Sequence, residues 1–460
     1  MRKFGAIALV FTLFVATMST VSAFALAKQS DPLLGSEPAD LAEWTVMVYC
    51  DGDNNLELNA IDDLLEMEMV GSTSEVSIIV MMDTYSLLDT NAHWYFVDDV
   101  DEGIEHVDLA AGTFDCDCAE ILGVDECPCA DPNMGDPETL KNFIVTAVDY
   151  APARNYFLVL WDHGGGWYGV CWDDSSLTYD DRVDRLTVHE TAEAIKAAQA
   201  ITGVKLRVIG YDSCLNGMIE IAYENRDLAD YMVASITSIP VAGWPYDLWL
   251  GDLVKYPTMS IEKLSESLVD RYVESYSTCA GEGLGGWNAV GLSFFDLSVM
   301  GELAAKIDDL AEQLIDIVED DYSVRGAILS AVQSLTPAIE MLGQQFAFTD
   351  LGYFAEQLAD NLADRFPAVS DTARDISDMV TEQAVMYTDW VKQTLGGAFR
   401  TTGISIYFPT AFNFLYLDYG YETLDEALDA GETIYYGMDF GYELEWYDFL
   451  LLFAQAYVES

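Results

Sequence analysis

The sequence predicts an α/β fold, with a mostly parallel central sheet covered by helices on both faces and a C-terminal helical subdomain. Three observations carry this. Short apolar runs alternate with helical stretches through the first two thirds of the chain, as buried parallel strands and their crossover helices do. Two of these runs, some fifty residues apart, stop at polar turns that carry a histidine and a cysteine. From residue 297 onward the apolar residues recur at three- and four-residue spacing instead.

Taken in order, residues 44–49 (WTVMVY) and 76–82 (VSIIVMM) read as the first two strands, with a helix near 56–70 between them. Residues 156–162 (YFLVLWD) form the third strand and 206–212 (LRVIGYD) the fourth. Residues 231–235 (YMVAS) and 288–295 (NAVGLSFF) supply a fifth and a sixth. Residues 297–394 read as mostly helical, 403–408 (GISIYF) as a returning strand and 443–458 as a closing helix. The division that follows is a core over 44–296, with an insertion at 113–135, and a mostly helical part over 297–460. No internal repeat is present.

Residues 1–27 begin with Arg2 and Lys3, continue through an apolar stretch and end in small residues at 21–23 and 25–27. This is the pattern of a secretory signal peptide, and it predicts a secreted or extracytoplasmic protein. The alternative is an uncleaved N-terminal anchor, the only route to a membrane the sequence offers. The 460-residue chain holds 79 acidic and 20 basic residues, a formal net charge of −59. Such a surface repels phosphate backbones and anionic lipid, which excludes nucleic acid as a partner. It suits high ionic strength or cation binding.

The two strand ends carry the chemistry. In open α/β sheets functional groups sit just beyond the carboxyl ends of the strands, where His163 follows the third and Cys214 the fourth. Gly164, Gly165 and Gly166 let backbone come close to a ligand, and the Gly164 amide is placed to bind an oxyanion. Residues 218–224 read as helix, so Cys214 is expected near a helix N-terminus, a position that favours thiolate. Taken alone, a buried cysteine is usually inert and a loop histidine usually a hydrogen-bonding residue; together they point to a thiol nucleophile and its base. His93, His106 and His189 lack such a setting. Cys171 is the rival nucleophile, but no strand-to-helix turn frames it, and Cys50 reads as a core residue.

Residues 44–49 followed by 53–57 (DNNLE), then 162–167 (DHGGGW), 212–215 (DSCL), 243–246 (GWPY) and 403–409 (GISIYFP) together resemble the clostripain-like cysteine peptidases. Each motif alone is weak, and the ordered set is specific. The resemblance implies a caspase-like α/β/α sandwich and peptide-bond hydrolysis by a Cys214/His163 dyad, with protein or peptide substrates, no required cofactor and a monomeric chain. It also implies cleavage after arginine or lysine, with Asp212 matching one acidic pocket position. A second acid is expected in a Pro-Gly-Asp-Gly-Trp-like stretch, where this chain has Ala242. Relatives often cut themselves between the histidine and cysteine strands, and the only arginines or lysines in 168–190 are Arg182 and Arg185. The competing readings are a peptidase with another pocket preference and a secreted binding protein that keeps the fold without turnover.

Two local patterns complete the reading. Residues 51–55 (DGDNN) resemble the start of a calcium loop, but Leu56 stands where an EF-hand needs glycine and Asp62 where it needs glutamate. Helix capping explains them, while Ca2+ binding stays open elsewhere on so acidic a chain. Cys116, Cys118, Cys127 and Cys129 in the insertion fit paired disulfides in an exported protein, with zinc as the alternative.

Overall fold

In the computed structural model, residues 41–85, 92–97, 132–178, 183–277, 289–320, 323–333, 340–341, 344–345, 348–392, 401–408, 435 and 437–458 are described. The signal segment, the four-cysteine insertion, His106, Cys279 and Arg182 lie outside them.

The centre is an eight-stranded sheet. Its strands in chain order are β1 (Ala42–Gly52), β2 (Val76–Thr84), β3 (His93–Phe96), β4 (Ala153–Trp161), β5 (Leu206–Asp212), β6 (Ala229–Ala234), β7 (Ala289–Asp296) and β8 (Val385–Lys392). Their spatial order is β8-β7-β6-β5-β4-β1-β2-β3. The five strands from β6 to β2 run parallel, while β3 and β7 are antiparallel to their inner neighbours, and β8 is antiparallel to β7.

Side-chain alternation divides the core in two. Met47, Tyr49, Ile79, Leu158 and Leu160 point to one face; Val46, Val48, Ile78, Val80, Phe157 and Val159 point to the other. Each fully buried aliphatic side chain contributes about 1.5–3 kcal/mol, so both faces must be covered. The second face is covered by α1 (Glu57–Glu68), which buries Ala60, Leu64 and Met67 there. The first is covered by α2 (Pro137–Tyr150) and α3 (Val188–Thr202). Asp136 caps α2, and Thr187 with Glu190 forms a capping box on α3. On the second face, α5 (Tyr246–Lys255) and α6 (Ile261–Ser277) join α1. This is the caspase-like sandwich the sequence predicts.

Two expectations change in detail. The helical stretch from residue 297 is present as Met300–Asp320, Val324–Gln333, Leu351–Leu362 and Pro367–Met379, all packed into the first core. It ends earlier than expected, because 385–392 is the edge strand β8. The strand at Ser405–Tyr407 does not join the main sheet; it pairs antiparallel with Phe348–Asp350. Ser405 N donates to Gly217 O at 2.9 Å, which ties this ladder to the turn after Cys214.

Candidate active site

β4 and β5 are adjacent and parallel, and their ladder ends at the Trp161–Asp212 pair. His163 and Cys214 each stand two residues beyond that pair. The two strands therefore deliver both side chains to one level at the carboxyl edge of the sheet.

The backbones then meet. A Cβ on Gly164 would lie 2.7 Å from Cys214 N and closer still to Cys214 O and Asn216 Oδ1. Only glycine fits there. The Cys214 turn is held by Leu215 N donating to Thr237 O at 3.0 Å, Gly217 N to Ser235 O at 2.8 Å and Asn216 Nδ2 to Gly166 O at 3.3 Å. Leu215 adopts φ +69°, a left-handed conformation that costs a non-glycine residue about 1–2 kcal/mol. Cys214 is left half-buried between two buried neighbours, Ser213 and Leu215.

His163 Nε2 lies 2.9 Å from Asn55 Oδ1. With the amide so oriented, Nε2 carries the proton and Nδ1 is left as the base. Burial lowers the imidazole pKa below its ordinary value, opposed by the Asp174 carboxylate. Asp162 fixes the strand end by accepting from Asn54 Nδ2 at 2.7 Å and from Trp172 N. Asn55 is a site residue that sequence reasoning assigned only to helix capping; its signal was the 53–57 motif itself. The capping expected of 51–55 is not made: α1 starts without a side-chain cap, and Asn54 instead closes the turn before it, its Oδ1 accepting from Leu56 N at 2.8 Å.

Cys214 Sγ accepts from Ile239 N at 3.3 Å. Burial pushes its pKa up, opposed by the Ile239 amide and the Ser238 hydroxyl. The helix expected to favour thiolate is α4 (Ile219–Glu224), which starts five residues after Cys214 and is only six residues long. Its dipole effect fades within a turn, so burial wins. No hydrogen bond joins Sγ to His163 among the described residues, and burial disfavours the charged form of both groups, raising the thiol pKa and lowering that of the imidazole.

The rival thiols are closed off. Cys171 and Cys50 are 0% and 2% exposed, and burial and surrounding carboxylates push both pKa values well up. His93 sits on the edge strand β3 and His189 in the first turn of α3, each remote in sequence from the strand ends.

Asp212, two residues before the cysteine, is buried. Its Oδ2 accepts from Trp244 N and Tyr246 OH, both at 3.0 Å, and its Oδ1 has no hydrogen-bond partner. Burial raises its pKa to about 7. Ala242 lies exposed in the neighbouring turn.

A second acidic cluster lies at the ends of β1 and β2. Carboxylate oxygens of Asp53, Asp83 and Asp173 fall within 4.8 Å of one another, all buried, and could hold a divalent cation. Asp51 is 0% exposed, and its Oδ2 has no hydrogen-bond partner. The chain has no lysine or arginine between Lys28 and Lys141, so the segments bearing Asp51, Asp53 and Asp83 bring no positive side chain of their own.

A parallel sheet that presents a histidine and a cysteine from adjacent strand ends, on a caspase-like scaffold, defines a class of protein. The sequence pattern of the clostripain family matches residues 48–452, and the chain belongs to that family. Clostripain from Hathewaya histolytica is 30% identical over 225 residues; the match spans 44% of this chain and 40% of that protein's length. Among solved structures, the chain is similar to a secreted C11 cysteine protease from Bacteroides thetaiotaomicron in complex with an irreversible peptide inhibitor. The TM-score is 0.55 at 20% identity, covering 86% of this chain and 99% of the other. An inactive zymogen C11 protease from Parabacteroides distasonis gives a TM-score of 0.57 at 19% identity, covering 89% and 98%. At these identities the structures support the fold.

Proposed function

We propose that this chain is an exported, monomeric cysteine endopeptidase that cleaves after arginine or lysine with Cys214 as nucleophile and His163 as its base. The observation that carries the reading is the paired exit of His163 and Cys214 from β4 and β5, with Gly164 backbone against Cys214. Family membership and the motifs at 162–167 and 212–215 support it.

In the reaction, substrate draws the thiol from Ile239 N, and its proton passes to His163 Nδ1. Sγ attacks the scissile carbonyl carbon, and the oxyanion is received by the Gly164 and Cys214 amides. The tetrahedral adduct collapses, the C–N bond breaks and His163 gives the proton to the leaving amine. His163 then takes a proton from water, which attacks the thioester and frees Cys214. Asn55 holds the imidazole in the tautomer this requires.

Self-processing is part of the proposal. Arg185 lies in a paired strand opposite Trp172, its Nε donates to Tyr168 O at 2.9 Å and its guanidinium stacks 3.6 Å from the Tyr168 ring centre. That restraint disfavours it as a cut site and leaves Arg182, between the strands Val170–Leu177 and Val183–Leu186. The chemistry needs no cofactor. Ca2+ would be held by Asp53, Asp83 and Asp173 with Asp51 beside them, and would stiffen the loop that carries Asn54 and Asn55.

Incubation with a peptide library and a thiol-reactive peptide probe tests the reading. Cleavage after arginine or lysine with stoichiometric labelling of Cys214 is expected. No cleavage and no labelling would favour a binding protein on the same fold, and cleavage after other residues would refute the basic-residue pocket.

A further inference from the structure

Beside the turn that carries Ala242, a second buried carboxylate meets Asp212. Asp63, on α1, and Asp212, at the end of β5, are 149 residues apart in sequence but converge over Gly243. A Cβ on Gly243 would stand 2.7 Å from Asp63 Oδ2 and 3.1 Å from Asp212 Oδ2. Gly243 adopts φ +56°, and its carbonyl accepts from Tyr276 OH at 2.6 Å, so the turn is pinned where the two carboxylates meet.

Each acid is 3% exposed. Asp63 Oδ2 accepts from Trp161 Nε1 at 2.6 Å, and Trp161 is the ladder partner of Asp212. Asp63 and Asp212 act on each other, and Glu66 and Asp62 act on the pair. All are acidic. Asp212 Oδ1 has no hydrogen-bond partner, while Oδ2 of the same carboxylate accepts from Trp244 N and Tyr246 OH. Two buried carboxylates with no lysine or arginine paired to them among the described residues, one of them two residues before Cys214 and with an acceptor oxygen unused, are suited to a positive group that arrives with a ligand.

We propose that Asp63 is the second carboxylate of the pocket for the side chain preceding the scissile bond, and that with Asp212 it selects a guanidinium or ammonium group. The inference rests on Cys214 being a peptidase nucleophile. It differs from the pattern of the relatives in taking the second acid from α1 rather than from the 240–244 turn. The bland alternative is a carboxyl pair that shares a proton and only braces that turn.

The test compares kcat/KM on two matched peptides, one with arginine and one with norleucine before the scissile bond, for wild type and Asp63→Asn. The asparagine oxygen can still accept from Trp161 Nε1, and the unfolding midpoint and Cys214 titration by iodoacetamide check that the fold persists. Loss of one charged hydrogen-bonding partner should lower the arginine-to-norleucine ratio roughly 10- to 100-fold, mostly through KM. Asp63→Glu should recover part of the ratio. If wild type cleaves and Asp63→Asn keeps the ratio, the pocket role is overturned while the peptidase reading stands. If wild type cleaves neither peptide and no other, the peptidase reading falls and this inference with it.

Discussion

Replacing Gly164 by alanine should nearly abolish turnover without unfolding the protein. The added Cβ would stand 2.7 Å from Cys214 N, and nearer to Cys214 O and Asn216 Oδ1; the first two are backbone, and the Asn216 amide is held by Ser213 Oγ and Gly166 O. The backbones of the His163 and Cys214 turns must therefore part by about 1 Å. Overpacking of this kind costs about 1–3 kcal/mol of stability. A displacement of that size between reacting groups costs about 100-fold in rate, and loss of an oxyanion-hole donor a further 100- to 1,000-fold if the Gly164 amide turns away. Gly251→Ala is the control: it lies in helix α5 with nothing within 4 Å of the added carbon, and should hold or slightly raise stability. The assay is kcat/KM on a fluorogenic peptide, normalised to titratable Cys214, alongside thermal unfolding. Gly164→Ala enzyme with more than a tenth of wild-type kcat/KM would refute the backbone contact as the element that assembles the site.

Burial raises Glu220 to about 7 while its Oε1 accepts from Tyr407 N and Tyr435 OH. Its folded pKa exceeds the unfolded one, so stability falls as pH rises from about 4.5 to about 7 and is level above. Glu220→Gln keeps an acceptor for both donors and should remove most of that fall, about 3 kcal/mol at most by linkage; an unchanged pH profile in urea unfolding would contradict it. Because burial raises the Cys214 thiol and lowers His163, alkylation by iodoacetamide should still be climbing above the ordinary thiol range, with kcat/KM falling only on the acid side of the ordinary imidazole range. A flat alkylation plateau across neutral pH would show a preformed thiolate instead. Ca2+ at 100 times its Kd should add about 2.7 kcal/mol, and so raise the unfolding midpoint by about 3 °C, an effect absent in Asp83→Asn; equal shifts in both proteins would refute the Asp53/Asp83/Asp173 site.

The central strands were legible because both their faces are buried, which makes residues such as 156–161 an unbroken apolar run. Their ends were legible for the same reason, since a polar residue after such a run must leave the sheet. Edge strands carry no such mark. β8 has mostly half-buried residues, among them Met386, Tyr387 and Trp390, and follows a helical segment whose apolar spacing runs into it. The hairpin strand Val170–Leu177 is half polar, because Asp173 turns inward to accept from Met134 N. The contact of Asn55 with His163 and the meeting of Asp63 with Asp212 join residues more than a hundred positions apart. No local pattern encodes such pairs; they come from the order of strands in the sheet. The helix after Cys214 was legible within one residue, but the burial that opposes its effect on the thiol depends on the 235–239 turn packed against Sγ, which no local pattern encodes.

The most direct test of the account is the kcat of purified wild type, Cys214→Ala, His163→Ala and the double variant on one peptide, with Cys171→Ala beside them. Because thiol and imidazole act as a unit, each single change should cost several orders of magnitude and the double change little more, while Cys171→Ala keeps most of its activity. Turnover retained in Cys214→Ala, or losses that simply multiply in the double variant, would contradict a Cys214/His163 dyad.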